Sequence, residues 1–362
     1  MKKILLIFGT RPEAIKMAPL YYAFAKREDV DCKICVTAQH REMLDQVMDF
    51  FDLKADWDLN LMTKGQSLGD LTGKILTQVE PILHEFSPDW VIVQGDTTTS
   101  MAAALAAFYQ KIRVCHVEAG LRTDHKWSPF PEEINRRISS VLADLHMAPT
   151  EKNRQALLSA GILDQQICVT GNTVIDALFL AKGQLSLSEP QRRKILITGH
   201  RRESFGKGFE QICSAIAELA VAYPECDFTY PVHLNPCVQE PVNRRLSGLK
   251  NVQLLEPLTY PEFVKQMAES TLILTDSGGV QEEAPSLGKP VLVMRDTTER
   301  QEGIDSGTAK LVGTNKETII KAVRNLLDSK EAWNKMSMAL NPYGDGKASE
   351  RIVSKIMGLP DE

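Results

Sequence analysis

Short apolar runs alternate with helix-like segments along almost the whole chain, and this alternation limits the possible folds more than any other feature. The runs Ile4 to Phe8, Trp90 to Val93 and Val114 to Val117 are β-rich, and each is followed by glycine or polar residues and then by a helical pattern. The same pattern restarts at Lys194 to Thr198. Alternation of this kind predicts parallel sheets covered by helices on both faces, so we expect an α/β protein with two doubly wound, Rossmann-like domains.

The length and composition agree with two globular domains. The 362 residues allow two cores, and the hydrophobic content of 43% and charged content of 25% are ordinary for a globular protein. The stretch from Gly183 to Arg193 is polar and irregular, and we expect the join between the halves near Thr170 to Gln191. We therefore set the domains at 1–170 and 171–346. A net charge of −5 disfavours nucleic acid or an anionic membrane surface as the partner, and no apolar run approaches membrane-spanning length.

The cysteines and the N-terminus indicate a cytoplasmic protein. The chain has seven cysteines, most of them inside apolar runs, and free thiols are typical of a reducing compartment. Cys32 and Cys35 form a C-x-x-C, but in a strand their side chains would point to opposite faces; a redox or zinc pair stays the alternative. Met1 to Phe8 leads directly into Gly9 without a signal-peptide cleavage site.

The segment Leu272 to Met294 has the pattern of an anion site. It reads as a buried strand, the turn Asp276-Ser277-Gly278-Gly279, a short helix from Val280 and a second strand. Backbone N–H groups at such a helix start, and glycines that admit close approach, suit a diphosphate. Glu282 or Glu283, one turn later, could bind paired sugar hydroxyls. The alternative is an ordinary strand–helix corner with Ser277 or Asp276 as the N-cap.

Several polar side chains of the first half follow predicted strands, where ligands of parallel sheets bind. They are Arg11, Gln39-His40, Asp96 and Glu118. Glu132 and Glu133 follow Pro131 at a predicted helix start. Each has a structural alternative, since Asp96 would serve as an N-cap and Pro-Glu-Glu often only opens a helix. Three acids at one site would repel one another, which raises at least one pKa and suits proton transfer.

The second half adds a candidate phosphate or proton-transfer group. His200 follows a predicted strand and precedes Arg201-Arg202, although a lone histidine is more often a loop residue with satisfied hydrogen bonds. No G-x-G-x-x-G motif follows a predicted strand, so we expect no nicotinamide or flavin cofactor. Basic side chains and a helix start can neutralise a diphosphate, so we expect no metal either.

The motifs, in their order, closely resemble those of the bacterial non-hydrolysing UDP-N-acetylglucosamine 2-epimerases. The resemblance spans nearly the whole chain and rests on Phe8 to Pro19 (FGTRPEAIKMAP), Gln94 to Thr97 (QGDT), His116 to Thr123 (HVEAGLRT), Pro131 to Arg137 (PEEINRR), Thr198 to Glu203 (TGHRRE), the Asp276 turn and Asn341 to Gly346 (NPYGDG). It implies a GT-B architecture with the active site in the cleft between two domains. It also implies a homodimer and a last helix, 347–362, that crosses back onto the first domain.

The resemblance assigns roles to particular residues. Asp96, Glu118 and Glu132 would be the acid/base carboxylates, with His200 near the diphosphate. The remaining ligand-side residues would be Arg11 and Lys16 facing the phosphates, His233 at a strand end, Ser277, Gly278 and Gly279 in the phosphate-binding turn, Glu283 on the ribose, and Arg300.

The family's reaction is the C2 epimerisation of UDP-N-acetylglucosamine to UDP-N-acetylmannosamine for bacterial cell-surface polysaccharide, through elimination and re-addition of UDP. A glycosyltransferase, a hydrolysing epimerase and a nucleotide-sugar-binding regulator are the alternatives. Some relatives are activated by their own substrate beside the catalytic site, near Gln39 to Met43. Whether this chain keeps that control is open, and Gly65, where regulated relatives carry a basic residue, weakens the case.

Overall fold

The computed structural model describes residues 1–38, 41–63, 65–188 and 190–359. The chain forms two compact units, one of Met1–Leu180 with Tyr343–Glu362 and one of Ala181–Pro342. The units part inside the helix Thr173–Gln184, ten residues later than the sequence-based boundary at 170/171. Whether 1–170 and 171–346 fold as independent domains stays a prediction.

The first unit is built on a seven-stranded parallel sheet. Its order is β3-β2-β1-β4-β5-β6-β7. The strands β2 and β3 therefore lie on one side of β1, and the later strands β4 to β7 lie on the other side. The strands are β1 Lys2–Phe8, β2 Val30–Val36, β3 Trp57–Asp58, β4 Trp90–Gln94, β5 Arg113–Val117, β6 Leu145–Ala148 and β7 Ile167–Val169.

Helices cover this sheet, and their starts lie at the carboxyl ends of the strands. They are α1 Arg11–Ala25, α2 Arg41–Phe50, α3 Leu68–Phe86, α4 Thr98–Tyr109, α5 Glu132–Leu142, α6 Glu151–Ser159 and α7 Thr173–Gln184, with a 3-10 turn at Asp164–Gln166. Nearly every side chain of β1 and all of β4 are buried, which is the pattern of a strand covered on both faces.

The second unit repeats the design with six parallel strands in the order β10-β9-β8-β11-β12-β13. The strands are β8 Lys194–Thr198, β9 Asp227–Pro231, β10 Val252–Leu255, β11 Leu272–Thr275, β12 Val291–Val293 and β13 Ala309–Leu311. The helices are α8 Lys207–Ala222, α9 Pro236–Leu246, α10 Tyr260–Glu269, α11 Gly278–Glu283, α12 Gln301–Asp305, α13 Lys316–Asp328 and α14 Lys330–Ser337, with 3-10 turns at Arg202–Ser204 and Ala284–Leu287.

The last helix, α15 (Ala348–Met357), belongs to the first unit and packs against α1. Asp176 of α7 fixes its start, because the two carboxylate oxygens accept hydrogen bonds from the backbone N–H groups of Ala348 (3.2 Å) and Ser349 (2.7 Å). A carboxylate at a helix start also interacts favourably with the helix dipole.

The predicted fold class, two doubly wound Rossmann-like units of α/β type, is confirmed. The strand β3 was not predicted, because its two residues are too few to form a periodic pattern. The helix expected from Val280 begins two residues earlier, at Gly278. Within the described ranges, no helix is both long enough and apolar enough to cross a membrane.

Candidate active site

The turn between β1 and α1 is held by one buried carboxylate, that of Glu13. Its Oε2 atom accepts hydrogen bonds from the backbone N–H groups of Gly9 (3.1 Å) and Thr10 (2.8 Å) and from the Thr10 hydroxyl (2.7 Å). A Cβ atom at Gly9 would lie 2.0 Å from Thr37 Oγ1, so only glycine fits there. The neighbouring Arg11 is exposed, and among the described residues its side chain has no hydrogen-bond or ion-pair partner.

Burial raises the pKa of Glu13 to about 7, although its hydrogen bonds with Thr10, Thr97 and Gly9 lower it. The side chain is only 1% exposed. A raised acid pKa was expected at this edge of the sheet, but it was expected from repulsion among Asp96, Glu118 and Glu132. For Glu13 the cause of the raised pKa is desolvation. The sequence did carry a signal for Glu13, the capping-box pattern Thr10-x-x-Glu13.

Glu118 stands directly after β5 in a strained backbone conformation. Its φ is +61°, a region that costs a non-glycine residue roughly 1–2 kcal/mol. The carboxylate is buried and accepts a hydrogen bond from Gln94 Nε2 at 2.6 Å and one from Lys16 Nζ. The strained turn therefore holds Glu118 against Lys16, which the sequence had placed on the ligand side.

Asp96 lies in the turn after β4 and is bound by Arg136 of α5. Arg136 Nη1 also lies 3.2 Å from Glu133 Oε2, so one guanidinium joins the Asp96 turn to the first turn of α5. The proposed structural role of Asp96 as an N-cap is wrong. The N-cap of α4 is Thr97, whose Oγ1 accepts a hydrogen bond from Ser100 N at 3.0 Å.

The first two residues of α5 are acids with different environments. Glu132 is partly exposed, and in the described part of the chain its carboxylate has no hydrogen-bond or ion-pair partner. Glu133 is fully buried and accepts hydrogen bonds from Arg137 Nε (2.8 Å), Thr123 N (3.1 Å) and the Thr123 hydroxyl (3.1 Å). Burial raises the pKa of Glu133, but Arg137, Thr123 and Arg136 outweigh it and leave the pKa below its usual value. Among the described residues, Glu132 is thus the one of these two acids whose carboxylate has no partner.

Two histidines lie beneath this edge of the sheet. His116 of β5 and His146 of β6 are register partners, and both are fully buried. Burial lowers the pKa of His116 to about 4 and that of His146 to about 3. His116 Nε2 lies 2.7 Å from the carbonyl oxygen of Gly95, the residue before Asp96. The neutral His116 ring therefore donates to that carbonyl and supports the Asp96 turn.

In the second unit, Asp276 organises the turn after β8. The buried Oδ2 atom accepts hydrogen bonds from the backbone N–H groups of His200 (2.6 Å) and Arg201 (2.7 Å), and Oδ1 lies 3.5 Å from His200 Nδ1. The His200 ring stacks on His233 with 5.2 Å between centroids. Burial lowers the pKa of His200, which Asp276 opposes and His233 and Arg201 reinforce. The structure therefore brings His200 and His233, which were both predicted to lie on the ligand side, into contact.

The turn at Ser277 to Gly279 lies against a charged cluster. Ser277 is the N-cap of α11, and its side chain makes no capping hydrogen bond. A Cβ atom at Gly278 would lie 3.2 Å from Arg300 Cζ, so the missing side chain lets this guanidinium approach the helix start. Arg300 Nε donates to Glu282 Oε1 at 2.8 Å, and Arg300 Nη1 lies 3.1 Å from Glu299 Oε1.

Glu299 was not identified from the sequence, yet it joins several of these groups. Its carboxylate also lies 2.8 Å from Arg295 Nη1 and 3.6 Å from Arg201 Nη2. Burial raises the pKa of Glu299, but Arg300 and Arg295 lower it to about 2. Glu299 therefore stays ionised and orients cations beside the predicted phosphate-binding turn.

Glu283, the predicted ribose-binding residue, has a separate partner in α10. Its Oε1 atom accepts a hydrogen bond from the Tyr260 hydroxyl at 3.0 Å, and a Cβ atom at Gly279 would lie 3.7 Å from Glu283 Oε2. Burial, with Glu283 as a second cause, raises the pKa of Tyr260 well above its usual value, so the phenol remains the donor.

The predicted residues therefore fall into two groups, one in each unit. In the first unit, Asp96, Glu118, Arg11 and Glu132 follow strands or begin helices, and Lys16 lies in the second turn of α1. In the second unit, His200, His233 and the Ser277 turn follow strands, Glu283 ends α11, and Arg300 is the N-cap of α12. Gln39-His40 lies outside the described residues. Among the residues that the structure describes, no three His, Cys, Asp or Glu side chains cluster as a metal site would require.

Fold and site together define a class: two-unit Rossmann-like α/β proteins with acids and cations at the carboxyl ends of their strands. A family model described as UDP-N-acetylglucosamine 2-epimerase matches residues 22–357. The chain belongs to this family, as its motifs had predicted.

Known proteins are similar to this chain over almost its whole length. The UDP-N-acetylglucosamine 2-epimerase of Escherichia coli K12 is 54% identical over 368 residues, 98% of this chain and 98% of the relative. The Neisseria meningitidis UDP-GlcNAc 2-epimerase, solved with UDP-GlcNAc bound, is 50% identical, with a TM-score of 0.89 over 99% of this chain and 100% of that one. The Methanocaldococcus jannaschii enzyme, solved with UDP-GlcNAc and UDP, is 36% identical, with a TM-score of 0.78 over 98% of this chain and 99% of that one.

Proposed function

We propose that the chain catalyses the reversible C2 epimerisation of UDP-N-acetylglucosamine to UDP-N-acetylmannosamine. The observation that carries the proposal is the set of carboxylates in the first unit. Glu118 is held by Lys16 and Asp96 by Arg136, while the Glu132 carboxylate has no partner within the described ranges. Membership of the epimerase family and the relative solved with bound UDP-GlcNAc support the choice of substrate.

The chemistry explains why several acids are needed. The C2 hydrogen of the sugar is not acidic enough for direct removal by a side chain, because C1 is an acetal carbon. If the bond between C1 and the UDP oxygen breaks first, the positive charge that develops at C1 acidifies the C2 proton. A carboxylate takes that proton, which leaves 2-acetamidoglucal and UDP. Return of UDP to C1 and of a proton to the other face of C2 gives the manno epimer.

In this proposal, Asp96, Glu118 and Glu132 exchange protons with the sugar. Two faces of C2 require acid/base groups on opposite sides of the ring, which one carboxylate cannot supply. Lys16 and Arg136 fix the directions of their partners, and fixed geometry lowers the barrier of a proton transfer. The net reaction leaves the oxidation state of the sugar unchanged, so the proposal includes no redox cofactor.

The second unit would hold the leaving UDP. The backbone N–H groups at Gly278 and Gly279 suit a diphosphate, and Arg300 lies against Gly278. The Ser277 N–H donates to Thr275 Oγ1 at 3.0 Å, so Ser277 would contribute its hydroxyl. His200 would add a donor to this anion, with His233 supporting His200 by stacking. Glu283 would accept the ribose hydroxyls. Firm retention of UDP is required, because loss of UDP from the intermediate state would release the glucal.

The proposal extends to the setting of the reaction. All seven cysteines are free thiols, which supports a cytoplasmic location. The product would supply N-acetylmannosamine units for a bacterial cell-surface polysaccharide. An apolar stripe on α5, formed by Ile134, Ile138 and Val141, supports a homodimer.

Incubation with UDP-N-acetylglucosamine in deuterated water tests the reaction. We expect deuterium at C2 of both UDP-sugars, together with a trace of free UDP and glucal. Free N-acetylmannosamine as the main product would instead identify a hydrolysing epimerase. Transfer to an added acceptor would identify a glycosyltransferase, and no exchange at all would identify a binding protein.

Amide substitutions test the three carboxylates. We expect D96N, E118Q and E132Q each to lower kcat by at least about 10²-fold, the usual range for the loss of an acid/base group. UDP binding, measured by calorimetry, should persist, since the proposed UDP contacts are elsewhere. The control E80Q changes an exposed glutamate of α3 and should leave turnover unchanged. Wild-type kcat in one of the three variants would remove that residue from the mechanism.

A further inference from the structure

The Glu13 carboxylate does more than cap its own helix. Besides the Gly9–Thr10 turn bonded to Oε2, its Oε1 atom accepts a hydrogen bond from the Thr97 hydroxyl at 2.7 Å, across 84 residues of chain. Thr97 is the N-cap of α4 and in turn accepts from Ser100 N. A continuous series of hydrogen bonds therefore runs from the first turn of α4, through Thr97 and Glu13, to the first turn of α1.

A second capping box in the same chain shows what the local role alone requires. Glu262 of α10 accepts hydrogen bonds from the Thr259 backbone N–H (2.8 Å) and hydroxyl (2.6 Å), and it is exposed. It occupies the same helix position as Glu13 and makes the same contacts with its threonine. What distinguishes Glu13 is its burial and its bond to Thr97. Capping does not require the burial of a carboxylate, and burial disfavours the charged form.

We propose that Glu13 is a positioning residue of the reaction proposed above: its buried carboxyl group links the turn that carries Arg11 to the helix start that follows Asp96, and so fixes the direction of the Asp96 side chain. Asp96 immediately precedes Thr97, and Arg11 immediately follows Thr10. Arg136 holds Asp96 from the α5 side, and the Glu13–Thr97 bond holds the same turn from the α1 side. This inference rests on the proposed function.

The surroundings of Glu13 agree with this role. Its hydrogen-bond donors are two backbone N–H groups and two hydroxyls, so the carboxyl group has polar partners from both turns. In the part of the chain that the structure describes, it forms no ion pair. Gly9 is packed against Thr37 and Thr99, whose hydroxyls lie 2.8 Å apart, so the β1 turn cannot shift without moving α4. A turn fixed at several points suits a catalytic acid, because a displacement of about 1 Å can cost about 10²-fold in rate.

The substitution E13Q changes the hydrogen bond to Thr97 selectively. The single carbonyl oxygen of the glutamine can keep the three hydrogen bonds from Gly9 and Thr10, which preserves the turn that carries Arg11. Its amide nitrogen then faces Thr97, so the hydrogen bond is reversed: the amide N–H donates to the Thr97 oxygen, and the Thr97 hydroxyl proton loses its acceptor. E13Q is therefore expected to disturb Asp96 while sparing Arg11. T97V removes the same bond from the other end with little change in shape, together with the N-cap hydrogen bond from Ser100 N.

The experiment is a double-mutant cycle on full-length protein with UDP-N-acetylglucosamine as substrate. We expect E13Q and T97V each to lower kcat about tenfold, and the double variant to lower it no more than about tenfold, because both changes disrupt the same Glu13–Thr97 hydrogen bond. T97S, which keeps the hydroxyl, should recover kcat to within about twofold, and KM and the Kd for UDP should change less than about threefold. E262Q is the matched capping-box control and should retain wild-type kcat.

The outcomes separate the two proposals. If the wild type turns over and E13Q has the kcat of E262Q, or if the two effects multiply to about 100-fold in the double variant, the role of Glu13 is overturned and the epimerase proposal stands. An equal loss of kcat and UDP affinity in E13Q would indicate a general structural defect and would also overturn it. A wild type that does not epimerise the substrate overturns the proposed function, and this inference with it.

Discussion

The Tyr260 hydroxyl donates a hydrogen bond to the carboxylate of Glu283, which is proposed to bind the ribose. Because Tyr260 stays protonated, it donates to Glu283 Oε1 at 3.0 Å and fixes the direction of that carboxylate. A hydrogen bond to a charged group contributes about 1.5–3 kcal/mol. Y260F should therefore weaken UDP binding, measured by calorimetry, by about tenfold.

The rate constant kcat should change little in Y260F, because the ribose contact is the same in the ground state and the transition state. Y223F is a matched control: Tyr223 donates to Asp328 at 3.0 Å and 2.9 Å on an exposed surface of the same unit. Equal UDP affinity in Y260F and Y223F would show that Tyr260 does not orient Glu283.

At the scale of single residues, the sequence indicated local roles better than long-range ones. The capping-box pattern at Thr10 and Glu13 is readable within four residues. The burial of Glu13 cannot be predicted from these four residues, because its carboxyl group contacts Thr97, which lies 84 residues later. Asp96 and Thr97 are both good N-cap residues, and only the structure distinguishes them. Tyr260 and Glu299 carry no motif, since their roles come from contacts with other segments.

Among the elements, the strand pair β5–β6 carries an unusual electrostatic feature, the buried pair His116 and His146. The folded state holds both rings neutral, with pKa values of about 4 and about 3 against 6.5 for an ordinary histidine. A depressed folded-state pKa contributes stability that is complete above the unfolded pKa and is lost as the pH falls toward the folded one. The free energy of unfolding of the protein should therefore decrease as the pH falls from about 6.5 toward 4.

The variant H146Q tests this, because glutamine is neutral throughout that range. Between pH 7 and pH 4.5, the free energy of unfolding, measured with urea, should fall by about 2 kcal/mol less in H146Q than in the wild type. H84Q changes an exposed histidine of α3 and should keep the wild-type pH dependence. Parallel curves for the wild type and H146Q would mean that His146 is not held neutral by the fold.

The elements themselves were predictable where their pattern was strong. β1, β4, β5 and β8 are continuous apolar runs, and the helices that follow them show helical periodicity. β3 was missed because two residues, Trp57 and Asp58, cannot establish a period. The early start of α11 at Gly278 reflects tertiary context, since glycine has low helix propensity but here admits Arg300.

At the scale of the whole molecule, one surface of the first unit is suited to a second copy of the chain. Ile134, Ile138 and Val141 follow the spacing i, i+4, i+7 on α5, and all three are exposed, Val141 to 82%. The end of the neighbouring α4 adds the exposed aromatic residues Phe108 and Tyr109. An apolar surface of this kind marks an interaction site, and a two-fold symmetric dimer would bring α5 against its own copy.

The variant V141K tests the proposed homodimer. A lysine near the C-terminus of α5 is compatible with the helix dipole, so the fold should persist, but two copies would place like charges in an apolar contact. We expect the wild type to be a dimer and V141K to be largely monomeric by size-exclusion chromatography with light scattering. V221K is the matched control, because Val221 is 70% exposed and is also the next-to-last residue of its helix, α8. If V141K dimerises as tightly as V221K, the dimer does not use α5, and a monomeric wild type would rule out the homodimer itself.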